Sequence, residues 1–479
     1  MITNMSDIET AHDGVALDVT LCQRARLARD PRFDGEFFIA VKTTGIYCRP
    51  VCPARPPAEK NVLYFRHAVQ AATAGYRPCL RCRPESAPGS PAWHGSQTTV
   101  HRALSLIEQG ALNDGKLTAL ALRLGVGERY LRKLFQRELG VSPHSVAHNK
   151  RLLLARKLLV ESTLPLTDVA HAAGFNSVRR FNSAMQEQFR QTPGDLRKSS
   201  SAVSNTPLIR LELHYRPPYD WEGICAFLRR HCVEGVESLE GDVYQRKLLI
   251  NGAPATVYVS PVHSRNALEL RVRCEDNRQL MPIMANVRRM FDLDANPPAI
   301  ADNLGSIAAL KPLLQAGTGL RSPGYWSLYE AAIRAIIGQQ VSTAAARGIC
   351  ARLARACSAD PEHLVFPSAA DISQLDDTHF PMPTRRRETL RTLCRHLQDT
   401  EESLSLELLA SLKGVGPWTV AMTSMRGAGD TDVFPDKDLG LEKAWQTLAP
   451  GTLSLTEAAA NWRPWRSYAA NLLWRSLPP

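Results

Sequence analysis

The sequence predicts a multidomain, mainly α protein with smaller α+β parts, and three observations carry that expectation. Two stretches rich in Pro, Ser and Gly, PESAPGSPAWHGSQT (84–98) and KSSSAVSNTP (198–207), read as linkers that divide the chain. Apolar residues recur at helical spacing through the middle and again from about residue 296 to the end. Between these regions, LIRLELHY, DVYQRKLLI, ATVYVSP and ALELRVR alternate as strands, with DWEGICAFLRRH and LMPIMANVRRMF as helices. At roughly 100–200 residues per domain, 479 residues hold three or four domains. The expected boundaries are 1–85, 98–198, 207–295 and 296–479.

Charge narrows the partners. The net charge is +11, and residues 98–198 carry 16 Lys and Arg against 8 Asp and Glu. Such an excess in one segment suits a polyanion. The opening MITNMSDIETAHDG has no apolar signal region, and no run approaches the ~18–20 apolar residues of a membrane span. A soluble cytoplasmic protein, nucleoid-associated and without a membrane partner, is expected. In that compartment eleven cysteines read as thiols or metal ligands rather than disulfides.

The first domain holds Cys48-x3-Cys52 and Cys79-x2-Cys82, two close pairs 26 residues apart, which fit a tetrahedral Zn2+ site. On spacing alone such a site serves folding. Arg49, Arg55, Arg77, Arg81 and Arg83 crowd it and add a second reading, phosphate contact. DGEFFIAVKTTGIYCRPVCPAR (34–55) and AGYRPCLRC (74–82) resemble the Ada-type zinc domain, which senses methyl phosphotriesters in DNA. The resemblance makes Cys48 the methyl acceptor and gives Thr44, Arg55 and Arg77 contacts to the DNA backbone. Four thiolates on Zn2+ carry a formal charge of about −2. Methylating one removes a negative charge, so affinity for DNA should rise.

In the middle domain LTALALRLGV (117–126) precedes GERYLRKLFQREL (127–139), and LTDVAHAAGF (166–175) precedes NSVRRFNSAMQEQF (176–189). Each pair reads as two helices about a glycine-containing turn, a helix-turn-helix. RLLLARKLLVES (151–162) reads as a stiff helix joining them. LPLTDVAHAAGFNSVRRFNSAMQEQFRQTPGDLR (164–197) resembles the close of an AraC-type DNA-binding domain. Arg129, Arg132 and Lys133 fall on the first recognition helix, and Asn176, Arg179 and Arg180 at the start of the second. Singly each reads as a solvated helix face. Together, in a strongly basic segment, they read as a nucleic-acid surface.

LKGVGPWTV (412–420) puts Gly414 and Gly416 between two helices, where backbone amides suit a phosphate. A lone GxG is weak. With HYRPPYDWEGICAFL (214–228), AIRAIIGQQVS (332–342) and RPWRSYAANLLW (463–474), residues 208 to the end resemble the AlkA-like DNA-3-methyladenine glycosylase II family of the helix-hairpin-helix superfamily. The resemblance implies a TBP-like α+β subdomain ahead of the helical domain. It makes Asp438 the catalytic carboxylate, Trp418, Trp474, Phe227 and Met422 the base pocket, and Gln339 and Gln340 DNA contacts. Gln340 stands where the family has an intercalating leucine, and Met422 where it has a pocket tyrosine. Trp418 stands where lyase-type relatives carry a lysine, so a monofunctional glycosylase is implied. Trp445, Trp462 and Trp465 read as core.

Asp438 belongs to DTDVFPDKDLG (430–440), which gathers four aspartates. A calcium loop does not fit, because Phe434, Pro435 and Leu441 occupy ligand and glycine positions. Asp430 and Asp432 are expected in the loop, and Asp436 as the cap of the following helix. One carboxylate suffices for a cationic alkylated purine, which leaves without an acid. The combined expectation is an alkylation-response protein. It would excise 3-methyladenine and related bases, repair methyl phosphotriesters at Cys48, and activate transcription on promoter DNA, with RNA polymerase as a partner. The competing expectation is an activator whose glycosylase part only binds DNA. A guanine-O6 methyltransferase domain is not expected, since no later cysteine has a Pro-Cys-His-Arg context.

Overall fold

The computed structural model describes residues 17–30, 33–82, 84, 99–113, 115–198, 208–358, 360–398, 404–451 and 453–477. The expected linkers, apart from their flanking residues Pro84 and Lys198, lie outside the described residues, as do the first 16 residues and Arg83.

The cysteine-rich segment forms a four-stranded sheet, β1 (Phe38–Val41), β2 (Ile46–Cys48), β3 (Val62–Phe65) and β4 (Arg77–Pro78), in the order β3-β1-β2-β4. The glycine turn at Gly45, φ +65°, closes the β1–β2 hairpin. β2 and β4 run parallel, with Tyr47 opposite Pro78. Sequence patterning did not reveal these strands, which are two to four residues long and too short for an alternating pattern.

The middle is all helical. Leu117–Arg123 and Glu128–Leu139 form the first helix-turn-helix, and Leu166–Ala172 and Val178–Phe189 the second. The joining helix, Pro143–Glu161, starts earlier than its apolar stretch, because Ser142 caps it by accepting from Ser145 N–H and Pro143 opens its first turn. Its 19 residues span ~28 Å.

Five antiparallel strands follow: β5 (Ile209–His214), β6 (Glu237–Glu240), β7 (Val243–Ile250), β8 (Ala253–Val262) and β9 (Ala267–Arg273), ordered β5-β9-β8-β7-β6. Four lie on the expected segments. The fifth, β6, has the sequence ESLE and no strand signal of its own; it exists because β7 pairs with it. Leu211, Leu213, Leu268, Leu270 and Val272 alternate inward against Ile224, Leu228, Ile283 and Val287 of the covering helices.

One buried cluster contains both this sheet and residues from Leu152 to Leu196, on the joining helix, the second helix-turn-helix and the short helix Pro193–Lys198 that follows it. The joining helix lies along the β5 edge, where Lys157 Nζ donates to Glu212 O (2.5 Å) and Glu161 Oε2 accepts from Glu212 N–H (3.0 Å). A lone edge strand is thereby covered. Residues 98–198 and 207–295 therefore share a core across the expected boundary. The helices beyond 296 build two further clusters, and Trp445, Trp462 and Trp465 are buried in the second.

Candidate functional site

The parallel β2–β4 pair brings Cys48 and Cys79 side by side, with Cys79 N–H donating to Tyr47 O (2.9 Å). A turn returns Cys52, whose N–H donates to Arg49 O (3.1 Å). Arg49 N–H donates to Cys82 Sγ (3.3 Å). The four sulfurs lie within 4.8 Å of one another. Tetrahedral Zn–S bonds of ~2.3 Å place sulfurs ~3.8 Å apart, so the donor set and its spacing fit Zn2+.

Cys48 lines a hollow of about 590 Å³ together with Thr44, Arg55 and Arg77. Thr44 and Arg55 are exposed, and Arg77 Nη2 donates to Thr44 O (3.4 Å). Arg81 is exposed on the same rim. Arg49 is not available for phosphate contact. Its Nε donates to Asp34 Oδ1 (2.8 Å) and its Nη1 to Cys82 O (3.1 Å), so it braces the cysteine turns. From the second helix-turn-helix, Arg190 and Gln191 complete the rim.

On the recognition helices Arg129, Arg132, Lys133, Arg179 and Arg180 are all exposed, and so is Asn176 in the turn just before the second helix. Arg132 pairs with Glu128 one turn earlier. The second helix is capped by Ser177, whose Oγ accepts from Arg180 N–H (3.2 Å).

Asp438, half-buried, lines a separate cleft of about 510 Å³ together with Phe227, His231, Trp418, Met422, Arg426 and Trp474. Asp438 is itself the N-cap of the helix Leu439–Leu448: Oδ1 accepts from Leu441 N–H at 3.0 Å. Trp474 Nε1 donates to the same oxygen at 3.0 Å, and Trp418 Nε1 donates to Oδ2 at 3.0 Å. Three N–H donors therefore hold one carboxylate. The expected cap, Asp436, is exposed; the helix begins two residues later, where Asp438 N–H reaches Pro435 O (2.9 Å). The other aspartates are spent elsewhere. Asp430 accepts from Ser424 Oγ (3.0 Å) and Asp432 N–H (2.9 Å), and Asp432 pairs with Arg463 (2.6 Å) and Arg466 (2.7 Å).

Phe227 lines the cleft but does not offer a free face to a base. His231 stacks on it at 4.0 Å and 18°, while the Arg426 guanidinium lies 4.7 Å from its centroid; the two cannot share a face. Burial pushes the His231 imidazole down to about 3, so it is neutral. Its Nδ1 lies 2.7 Å from Phe227 O, which makes Nδ1 the protonated donor. Trp418 and Met422 share one face of the helix Pro417–Thr423, four residues apart.

The hairpin joins Leu406–Ser411 to Pro417–Thr423. Gly414 has φ +93°, and Gly416 is the N-cap of the second helix. Gln339 serves the hairpin rather than facing outward: its Nε2 donates to Gly414 O (3.1 Å) and Thr419 Oγ1 (2.9 Å). Of the two glutamines Gln340 is the exposed one, at φ +56° in the turn between Leu328–Ile337 and Thr343–Cys357. Sequence reasoning did not find Arg426. Its only signal is a charged residue inside the apolar helical run AMTSMRGA.

Family models match three stretches: the metal binding domain of Ada over 21–85, a helix-turn-helix domain over 120–199, and the AlkA N-terminal domain over 210–327. A Mycobacterium tuberculosis protein named "Probable bifunctional transcriptional activator/DNA repair enzyme AlkA" is 38% identical, covering 96% of this chain and 97% of its own. The chain belongs to this family of bifunctional transcriptional activator/DNA repair enzymes. An Escherichia coli DNA-3-methyladenine glycosylase 2 is 29% identical over 55% of this chain and 95% of its own. The Escherichia coli bifunctional activator and repair enzyme Ada is 38% identical over 30% of this chain and 40% of its own. Among the described residues no helix is long and apolar enough to cross a membrane.

Proposed function

We propose that the chain is a DNA repair enzyme and regulator: a monofunctional N-glycosylase that excises 3-methyladenine and other alkylated bases at Asp438, joined to a methyl-accepting switch at Cys48. The observation that carries the glycosylase reading is the Asp438 carboxylate, held by two indole N–H groups and its own helix start in a cleft beside the hairpin. A fixed anion there can stabilise an oxocarbenium sugar and orient water once the base is flipped out. Gly414 and Gly416 offer amides to the backbone, Gln339 braces them, and Gln340 fills the gap left by the flipped base. Trp418, Trp474 and Met422 wall the pocket.

At the other site, Cys48 attacks the methyl carbon of a phosphotriester. The O–CH3 bond breaks, the S–CH3 bond forms, and the phosphate oxygen keeps the electron pair. Bound Zn2+, held by Cys48, Cys52, Cys79 and Cys82, supplies ionised thiolates at neutral pH. Thr44, Arg55 and Arg77 hold the flanking phosphates. Methylated protein binds promoter DNA through Arg129, Arg132, Lys133, Asn176, Arg179 and Arg180 and recruits RNA polymerase at the nucleoid. The domains act as 1–85, 98–198, 207–295 and 296–479, with the second and third packed together.

The test is base release from methylated duplex DNA. Free 3-methyladenine with an unbroken abasic strand is expected; a nicked strand would contradict monofunctional chemistry, and no release would leave the activator reading.

A further inference from the structure

Among the charged side chains that line the cleft, Arg426 is one for which the glycosylase reading has no use. Arg426 lies on the π-helical turn Ser424–Ala428 and is 4% exposed. Its Nη1 donates to Pro323 O (2.6 Å) and its Nη2 to Asn471 Oδ1 (2.9 Å). Among the described residues no carboxylate lies within 4.0 Å of it, so it is a buried cation without an ion-pair partner. Burial pulls it down to about 10, opposed by the nearby Tyr325 and Asp438, and it stays protonated at neutral pH.

Its position relative to Asp438 is the informative part. The guanidinium sits 5.2 Å from the ring centroid of Trp474, whose Nε1 donates to Asp438. One indole therefore carries a cation over its face and an anion at its edge. Asp438 is half-buried, whereas Arg426 is almost wholly shielded from solvent. A nucleotide entering the cleft stays tethered at the mouth by its sugar and phosphates, so its base points inward.

We propose that Arg426 is a specificity-determining residue of base excision: with Asp438 it sets a field along the scissile bond, positive on the base side and negative on the sugar side. This rests on the glycosylase reading of Asp438. When the C1′–N bond of a cationic alkylated purine breaks, the electron pair goes to the base nitrogen. Positive charge leaves the base beside Arg426 and appears on the sugar beside Asp438. Water then adds its oxygen to C1′ and gives one proton to solvent by way of Asp438. The field opposes the bound ground state and favours the transition state, which is differential rather than uniform binding. Bases are thus selected by how readily they leave, not by how tightly the cation is held. For a neutral alkylated base the same cation stabilises the negative charge that develops on the leaving base, which takes the proton lost by water.

The experiment uses the full chain and duplexes carrying one 7-methylguanine, comparing wild type, Arg426→Met and Arg426→Lys in kcat and KM separately. Loss of the charge should lower kcat by about tenfold or more, while KM stays level or falls. Arg426→Lys should recover most of the lost kcat. Arg426→Gln replaces the Met variant if the latter does not fold. A rise in KM together with the loss in kcat, or a Lys variant as poor as the Met variant, assigns Arg426 a packing role and overturns the proposal. Asp438→Asn run in parallel separates the two readings. If it keeps full activity the Asp438 assignment fails first, whatever Arg426 does.

Discussion

The two hairpin glycines should respond very unequally to the same methyl group. At Gly414 φ is +93°, and an added Cβ would meet Thr389 Oγ1 at 2.2 Å. An L-residue in this region costs about 1–2 kcal/mol. Thr389 must also move, and its hydroxyl donates within reach of Lys413 O (2.9 Å) and Arg385 O (3.0 Å), a loss of about 0.5–1.5 kcal/mol. Gly414→Ala should therefore destabilise by about 1.5–3.5 kcal/mol in total. At Gly416 φ is −106° and nothing lies within 4 Å of the added Cβ. Only the weaker N-cap preference of alanine remains, about 1 kcal/mol or less. Seven of the eight tryptophans lie beyond residue 208, so tryptophan fluorescence in urea reports this half of the chain. The midpoint for Gly414→Ala should fall by about 1 M or more, and that for Gly416→Ala by a few tenths. Equal losses would refute the reasoning, since they would mean that neither the left-handed conformation nor Thr389 matters.

Trp474→Phe keeps an aromatic wall but removes one of the donors to Asp438. Base release should fall about 10–100-fold, matching a charge-assisted hydrogen bond of ~1.5–3 kcal/mol, with DNA binding nearly unchanged. Stability should drop in acid, because His231 is neutral when folded, held down to about 3, and takes a proton near 6.5 once unfolded. Between those values the unfolded state binds more protons, so the urea midpoint should fall from pH 7 to pH 5, and fall less in His231→Gln. Cys48→Ser should lose methyl transfer and the methylation-dependent gain in DNA affinity in gel shifts, while base release persists. Lys133→Ala should weaken promoter binding similarly across sequences and flatten its salt dependence.

Features written in local spacing are legible in the sequence itself. The four cysteines, the two helix pairs and four of the five strands in the larger sheet each follow from residues near one another in the chain, whereas Asp438 is singled out among its three neighbouring aspartates only by the family resemblance. What could not be read depends on distant partners. Trp418 and Trp474 lie 20 and 36 residues from Asp438, and only the packing of three helices turns both indole edges onto it. The same packing seats Arg426 over Trp474 and Phe227, leaving Phe227 with no free face. Gln339 and Gln340 are adjacent and chemically identical, yet one braces the hairpin and the other is exposed, at a left-handed position of the turn. The expected cap at Asp436 is displaced by two residues because Asp438 serves both as helix cap and as the carboxylate of the cleft.

The glycosylase reading stands or falls on Asp438. Single-turnover release of 3-methyladenine from alkylated duplex DNA by wild type and Asp438→Asn measures it directly. Asparagine can still accept from Leu441 N–H and keep the helix start, so the fold should survive while the anion is lost. Base release should drop by at least about 100-fold with DNA affinity retained. Release at the wild-type rate in a folded variant would contradict the assignment and return the cleft to a DNA-binding role.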